Sequence, residues 1–170
     1  SKAQSRRIEE TFIRYGVPYR IVGGQRFYDR KEIKDVVSYL RLLYQPEDTV
    51  SFGRVINVPT RGIGTTSVQK FLAWKSAQKL SLADALKSVQ EHPDLTPKAK
   101  RGFLEFGDML AVLRDRSADT LLPVLLDDLL RRIDYFAYLH DGTPQGESRA
   151  ENVRELVSVT QGYQDLGLDG

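Results

Sequence analysis

Apolar residues recur along this chain mainly at the three-and-four spacing of amphipathic helices, and one short early stretch breaks that rhythm. Ile8, Phe12 and Tyr15 share one face of a helix predicted over 4–15, with Ser5 at its cap and Gly16 at its stop. Val17-Pro18 ends that pattern. Tyr19-Arg20-Ile21-Val22 then has the β-branched and aromatic character of a strand, closed by Gly23-Gly24. From Asp29 or Arg30, the residues Ile33, Val36, Val37, Leu40, Leu43 and Tyr44 form a single stripe, with Arg30, Lys31, Lys34 and Arg41 mainly off it. Gln45-Pro46 marks its end.

Every later signal is helical. Phe52, Val55 and Ile56 carry a short helix over 50–57 that Pro59 stops. Thr65 or Thr66 caps the next, to about 79, with Val68, Phe71, Leu72 and Lys75 marking its turns. Ser81-Leu82-Ala83-Asp84 resembles a capping box and opens a helix to about 90. Thr96-Pro97 is a cap followed by proline at the first helical position, leading a long helix to about 116 through Ala99, Phe103, Phe106, Leu110 and Leu113. Asp119 or Thr120 starts another, through Leu125, Leu129, Ile133 and Phe136. The polar stretch 140–148, with Gly142, Pro144 and Gly146, reads as a loop, and 149–163 closes as a helix with Val153, Leu156, Val157 and Thr160 inward. A lone strand makes no sheet. Residues 1–38 therefore read as an edge piece of an α/β domain, and the helices after them as an all-α domain inserted into that parent.

Composition narrows the class. The 170 residues amount to about one domain at the usual ~100–200 residues each, and 41% hydrophobic with 28% charged residues describes a folded chain. No apolar run approaches the ~18 residues of a membrane span, nor does a hydrophobic region follow Ser1-Lys2-Ala3-Gln4-Ser5-Arg6-Arg7, so a cytoplasmic location without a membrane partner is expected. The absence of Cys excludes disulfides, thiolate nucleophiles and Cys-ligated metals. A start other than Met and an end at Asp165-Leu166-Gly167-Leu168-Asp169-Gly170 suggest a fragment of a longer protein. The net charge of +2 hides a split: residues 1–61 hold 12 Lys/Arg against 7 Asp/Glu, and the remainder 13 against 16. A basic first third attracts phosphate, although such a balance is also ordinary for a solvated surface.

Catalytic signatures are missing. No G-x-x-x-x-G-K-[ST] phosphate cradle and no G-x-S-x-G elbow occurs. His92 and His140 lack a second ligand at helical spacing and read as surface-loop histidines. Asp127-Asp128 and Glu9-Glu10 point about a hundred degrees apart on a helix, which suits a solvated face better than acid/base work. An independent enzyme is the weakest of the readings.

Two segments bear on binding. In Pro59-Thr60-Arg61-Gly62-Ile63-Gly64-Thr65-Thr66, a helix ends and another begins around a tight Gly-Ile-Gly turn. The open N–H groups of the second helix, its positive dipole end and two hydroxyls make an anion site, with Arg61 before it and Lys70 beyond. Nucleic-acid phosphate suits it, and the contacts would ignore base identity. The plainer alternative is a compact turn with Ile63 plugged into the core. In the second segment, 19–35, a strand, a Gly-Gly turn and a basic helix start place Arg26, Arg30 or Lys31 near a nucleic-acid strand, with Phe27 or Tyr28 to stack. Those aromatics serve equally as wedges between helix and sheet, and Tyr135-Phe136, Tyr138 and Trp74 read as core or domain-packing residues.

These segments carry a resemblance. Gln4-Ser5-Arg6 with Glu9-Glu10, Tyr19-Arg20-Ile21-Val22-Gly23-Gly24, Phe27-Tyr28-Asp29-Arg30-Lys31-Glu32-Ile33-Lys34-Asp35, Tyr39-Leu40-Arg41, Asn57-Val58-Pro59-Thr60-Arg61-Gly62-Ile63-Gly64 and Glu151-Asn152-Val153-Arg154-Glu155-Leu156 together resemble the UvrD/PcrA/Rep group of superfamily 1 DNA helicases, in the same order along nearly the whole chain. The resemblance implies a mainly α fold. Residues 1–38 would be a one-strand α/β flank from the RecA-like 2A domain, 39–157 the helical 2B insertion with its helix–hairpin–helix-like turn, and 158–170 a truncated return towards 2A. It further implies an ATP-dependent 3′-to-5′ helicase of repair or replication restart, with ATP and magnesium held by the parent and no cofactor by this piece. Duplex and forked DNA, the parent's own motor domains and repair proteins are the partners it suggests. The family's duplex contact maps onto Gly62, Ile63 and Gly64 with Thr60, Arg61, Thr65, Thr66 and Lys70 beside them. The family commonly has Asn where this sequence has Lys2, which keeps a phosphate contact but not an amide-mediated one. Swivelling near 40–45 and 158–164 would gate unwinding. An autoinhibitory or protein-docking module that does not bind DNA is the alternative.

Overall fold

The apolar stripe beginning at Ile33 and the proline that follows it at Pro46 define the first long element. The computed structural model describes residues 25–165. The helix expected over 4–15, the strand at 19–22 and Lys2 lie outside the described residues. A short α1 (Gln25–Tyr28) leads into α2 (Lys31–Tyr44), on which Ile33, Val36, Val37, Leu40 and Leu43 are all buried. Asp48 caps α3 (Thr49–Val55) by accepting from the Ser51 N–H at 3.0 Å. After α4 (Thr65–Ala77), Ser81 caps α5 (Leu82–Lys87) and Thr96 caps α6 (Pro97–Ser117), each accepting from the N–H three residues on. Then come α7 (Leu122–Arg132), α8 (Tyr135–Leu139) and α9 (Pro144–Asp165). The described residues are mainly helical and contain no strand.

Several boundaries differ from the sequence pattern for identifiable reasons. Neither Thr65 nor Thr66 caps α4; Gly64 holds that position, without a side-chain cap. The helix predicted to about 90 stops at Lys87 and tightens into a 3₁₀ turn, Val89–Glu91. The run expected from Asp119 to Phe136 starts at Leu122 and breaks into α7 and α8, because Asp134 sits in the left-handed region at φ 52°. The 140–148 loop is mostly helix: α9 begins at Pro144, the Thr143 hydroxyl oxygen accepts from the Gly146 N–H at 2.9 Å, and Asp141 accepts from Thr143. The 40–45 segment, expected as a linker, is the buried last turn of α2 and its cap, with Leu40 and Leu42 fully enclosed.

The core lies between α2, α3, α4 and α6. Phe52, Phe71, Phe103 and Phe106 are all buried; the Phe71 and Phe103 rings stack with centroids 4.4 Å apart, and Phe52 meets Phe106 edge-on at 5.7 Å. Each such side chain contributes on the order of 1.5–3 kcal/mol by leaving water. Further helices cover this core, α7 against α6 and α9 against α2, α7 and α8. Polar bonds fasten the start of α2: Asn152 donates to the Glu32 carboxylate at 2.7 Å, the Tyr135 hydroxyl to the Glu32 carbonyl at 3.0 Å, and Lys31 and Arg54 hold the buried Asp35. The site sits directly above the aromatic cluster, where α3 hands over to α4.

Candidate nucleic-acid interface

The turn between α3 and α4 is shaped by one amide side chain. Asn57 donates to the Ile63 carbonyl at 2.5 Å and accepts from the Ile63 N–H at 3.1 Å, closing residues 57–63 into a loop. Gly62 within it has φ 72°, a conformation that costs an L-residue about 1–2 kcal/mol. Ile63 is buried, its Cδ1 lying 2.9 Å from where a Cβ on Gly102 of α6 would be. The compact turn with a core plug and an outward-facing helix start are thus features of one arrangement. Gly62, Gly64, Thr65 and Thr66 are exposed, and Thr60 with them.

The start of α4 has no side-chain cap, and its first two residues are exposed. The chain's first intrahelical bond there runs from the Val68 N–H to the Gly64 carbonyl at 3.1 Å, which leaves the Thr65, Thr66 and Ser67 N–H groups as the open end of a 13-residue helix. That end carries roughly half a positive charge and favours an anion.

The cations distribute unevenly around it. Arg61 is turned inward. Its Nη1 donates to the carbonyls of Ile56 at 2.8 Å and Val55 at 3.0 Å, its Nη2 to the Tyr39 hydroxyl at 2.8 Å, and its guanidinium carbon lies 4.7 Å from the Phe106 ring centre. Tyr39 is fully buried and donates to the Val58 carbonyl; burial pushes its pKa up to about 12, with Arg61 pulling against the rise. Lys70 lies exposed along α4 and pairs with Asp94 at 3.0 Å. Lys98 was not foreseen. A Cβ on Gly62 would lie 3.1 Å from its Nζ, so this exposed ammonium hangs over the turn, and among the described residues it enters no ion pair. A sequence signal existed: Lys98, Lys100 and Arg101 crowd the first turns of α6, where the helix dipole disfavours cations and no acid balances them.

The second segment is less assembled. Arg26 and Arg30 are exposed near α1 and the start of α2, whereas Lys31 pairs with Asp35 at 2.9 Å. Phe27 and Tyr28 are buried and meet edge-on at 5.4 Å, so they are wedges and not stacking platforms. His92 is also no surface histidine: it is buried beside Trp74, accepts from the Asp94 N–H at 3.0 Å through Nδ1, and therefore donates through Nε2 to the Lys70 carbonyl. His140 is exposed, 3.0 Å from Glu147. Asp127 and Asp128 pair with arginines on α6 and α7. No group of His, Asp or Glu among the described residues is placed to hold a metal ion.

The family model for the UvrD-like helicase C-terminal domain matches residues 1–168. Among curated proteins, the chain is 37% identical over 170 residues to the ATP-dependent DNA helicase PcrA of Bacillus subtilis, covering 99% of this chain and 23% of that protein. It is 38% identical over 166 residues to the same-named protein of Staphylococcus epidermidis, and 36% over 166 residues to that of Leuconostoc citreum, covering 97% of this chain and 23% and 22% of those proteins. The chain thus spans under a quarter of the length of these relatives.

Proposed function

The chain belongs to the UvrD-like helicase C-terminal domain family, and we propose that it supplies the 2B subdomain, with a flank of 2A, of an ATP-dependent 3′-to-5′ DNA helicase of repair or replication. On this reading 1–38 is the 2A flank, 39–157 the 2B unit and 158–170 the return to 2A. Its task is to hold the duplex ahead of a fork while the parent's motor domains, which bind ATP and magnesium, move the single strand. Repair proteins are further partners of the parent. No helix among the described residues is long and apolar enough to cross a membrane.

The observation that carries the DNA role is the uncapped, exposed start of α4, whose cap position Gly64 comes two residues after the Gly62 position at which the Lys98 ammonium lies. A backbone phosphate there would accept from the Thr65, Thr66 and Ser67 N–H groups, with the threonine hydroxyls and Lys98 beside it. Gly62 and Gly64 let the sugar–phosphate chain approach closely, and Ile63 anchors the turn from below. Lys70 flanks this contact, and Arg26, Arg30 and Lys31 offer a separate basic patch. Such contacts position a duplex without reading its sequence. A docking role for proteins finds support at the start of α7, where Leu121 and Val124 are 51% and 58% exposed.

Salt separates the two. Fluorescence anisotropy of the chain with a forked duplex is expected to show binding that weakens steeply with salt, and Lys98→Ala is expected to flatten the log–log slope by about 0.9. Binding that ignores salt, or an unchanged slope in the variant, would turn the reading towards protein docking.

A further inference from the structure

Arg61 stands at the edge of the proposed phosphate site, and its side chain points the other way. Three carbonyls at the end of α3, those of Val55, Ile56 and Val58, receive Nη1, at 3.0, 2.8 and 3.3 Å. Val55 and Ile56 are the last residue and the cap of α3, whose carbonyls have no donor within the helix, and Val58 lies two residues past that cap. The Tyr39 hydroxyl accepts from Nη2 at 2.8 Å while donating to the Val58 carbonyl, and the guanidinium plane lies over Phe106. One side chain from the turn thus reaches α2 through Tyr39, α3 through its terminal carbonyls and α6 through Phe106. Nη1 and one hydrogen of Nη2 of the guanidinium are thereby engaged inside the protein and not with a phosphate. Its planar donor set also explains the residue type: an ammonium can neither reach several carbonyls and a hydroxyl in one plane nor stack on a ring.

We infer that Arg61 is a positioning residue for the duplex-binding turn, which it locks to α2 through Tyr39, and that it makes no phosphate contact of its own. This rests on the reading of the turn as the duplex site, and it deepens that reading by separating the residues that touch DNA from the one that aims them. Tyr39, fully buried and unable to meet a ligand, belongs to the same lock.

Charge-conserving and hydroxyl-deleting variants of the 170-residue chain test it. Arg61→Lys and Tyr39→Phe are each expected to weaken duplex binding several-fold in anisotropy titrations, with the salt slope unchanged, and to speed hydrogen exchange of the backbone over 57–64. A phosphate contact would behave oppositely. Arg61→Lys would then bind as the parent does with exchange unaltered, and Arg61→Ala would lower the slope by about 0.9; that pair of results overturns the inference. Should the unsubstituted chain bind no duplex, the functional reading fails alone and exchange decides the rest: protection over 57–64 that is unaltered in Arg61→Lys refutes the lock, and protection that is lost upholds it.

Discussion

The starts of α4 and α9 each follow a loop that carries glycine and a threonine, yet the two ends are finished in opposite ways. At α9 the Thr143 hydroxyl oxygen takes the Gly146 N–H, Asp141 in turn holds both the hydroxyl and the N–H of Thr143, and Pro144 has no N–H to satisfy. At α4 Gly64 supplies no cap, and the hydroxyls of Thr65 and Thr66 lie exposed beside open N–H groups. A helix end closed by its own side chains serves the fold, whereas one left open and ringed by exposed polar groups leaves its partial charge unneutralised by the chain. The α3–α4 turn is nevertheless rigid, because Asn57 and Arg61 order it from within.

Substitutions at the two starts should therefore separate stability from affinity. The largest effect is expected from Gly146→Ala, whose Cβ would lie 2.4 Å from the Leu139 carbonyl oxygen and 2.3 Å from Asp141: about 3 kcal/mol lost in urea denaturation, with duplex affinity of the folded fraction unchanged. Thr143→Val removes the cap at α9 and should cost about 1 kcal/mol, again without touching affinity. Gly64→Asp reverses the pattern. Its site is open, with φ −68°, so a capping carboxylate fits and should add about 0.5 kcal/mol of stability while repelling DNA phosphate. The smallest effect concerns pH. Hydrogen bonds from the Thr143 hydroxyl and N–H hold the Asp141 carboxyl below its ordinary range, so the stability it lends α9 is present above the unfolded carboxylate pKa and is lost as pH falls through the lowered one. The α4 start has no such group. Acid titration followed by amide exchange should loosen the first turn of α9 before that of α4.

How far the sequence carried this picture depended on whether the deciding contact was local. Thr96-Pro97 and Ser81-Leu82-Ala83-Asp84 announced their helices because the cap and the capped N–H are three residues apart. Thr143-Pro144 is the same signal as Thr96-Pro97, hidden by Gly142 and Gly146, which read as loop residues. Asp134 gave no warning of a break, since aspartate occurs within helices and loops as well as at the single left-handed position it takes here, φ 52°. At the site, the glycine turn and the helix start after it were legible. The direction of Arg61 was not, because its acceptors on α3, Tyr39 on α2 and Phe106 on α6 are brought together only by the fold. Lys98 escaped for the same reason, being 36 residues from the glycine it overhangs.

The most direct test of the open helix end is Gly64→Asp measured twice on one preparation, by urea denaturation and by anisotropy on a forked duplex across a salt series. The variant is expected to be at least as stable as the unsubstituted chain and to bind the duplex far more weakly at every salt concentration. Equal affinity in an equally stable chain would contradict that expectation and show that phosphate does not sit at the start of α4.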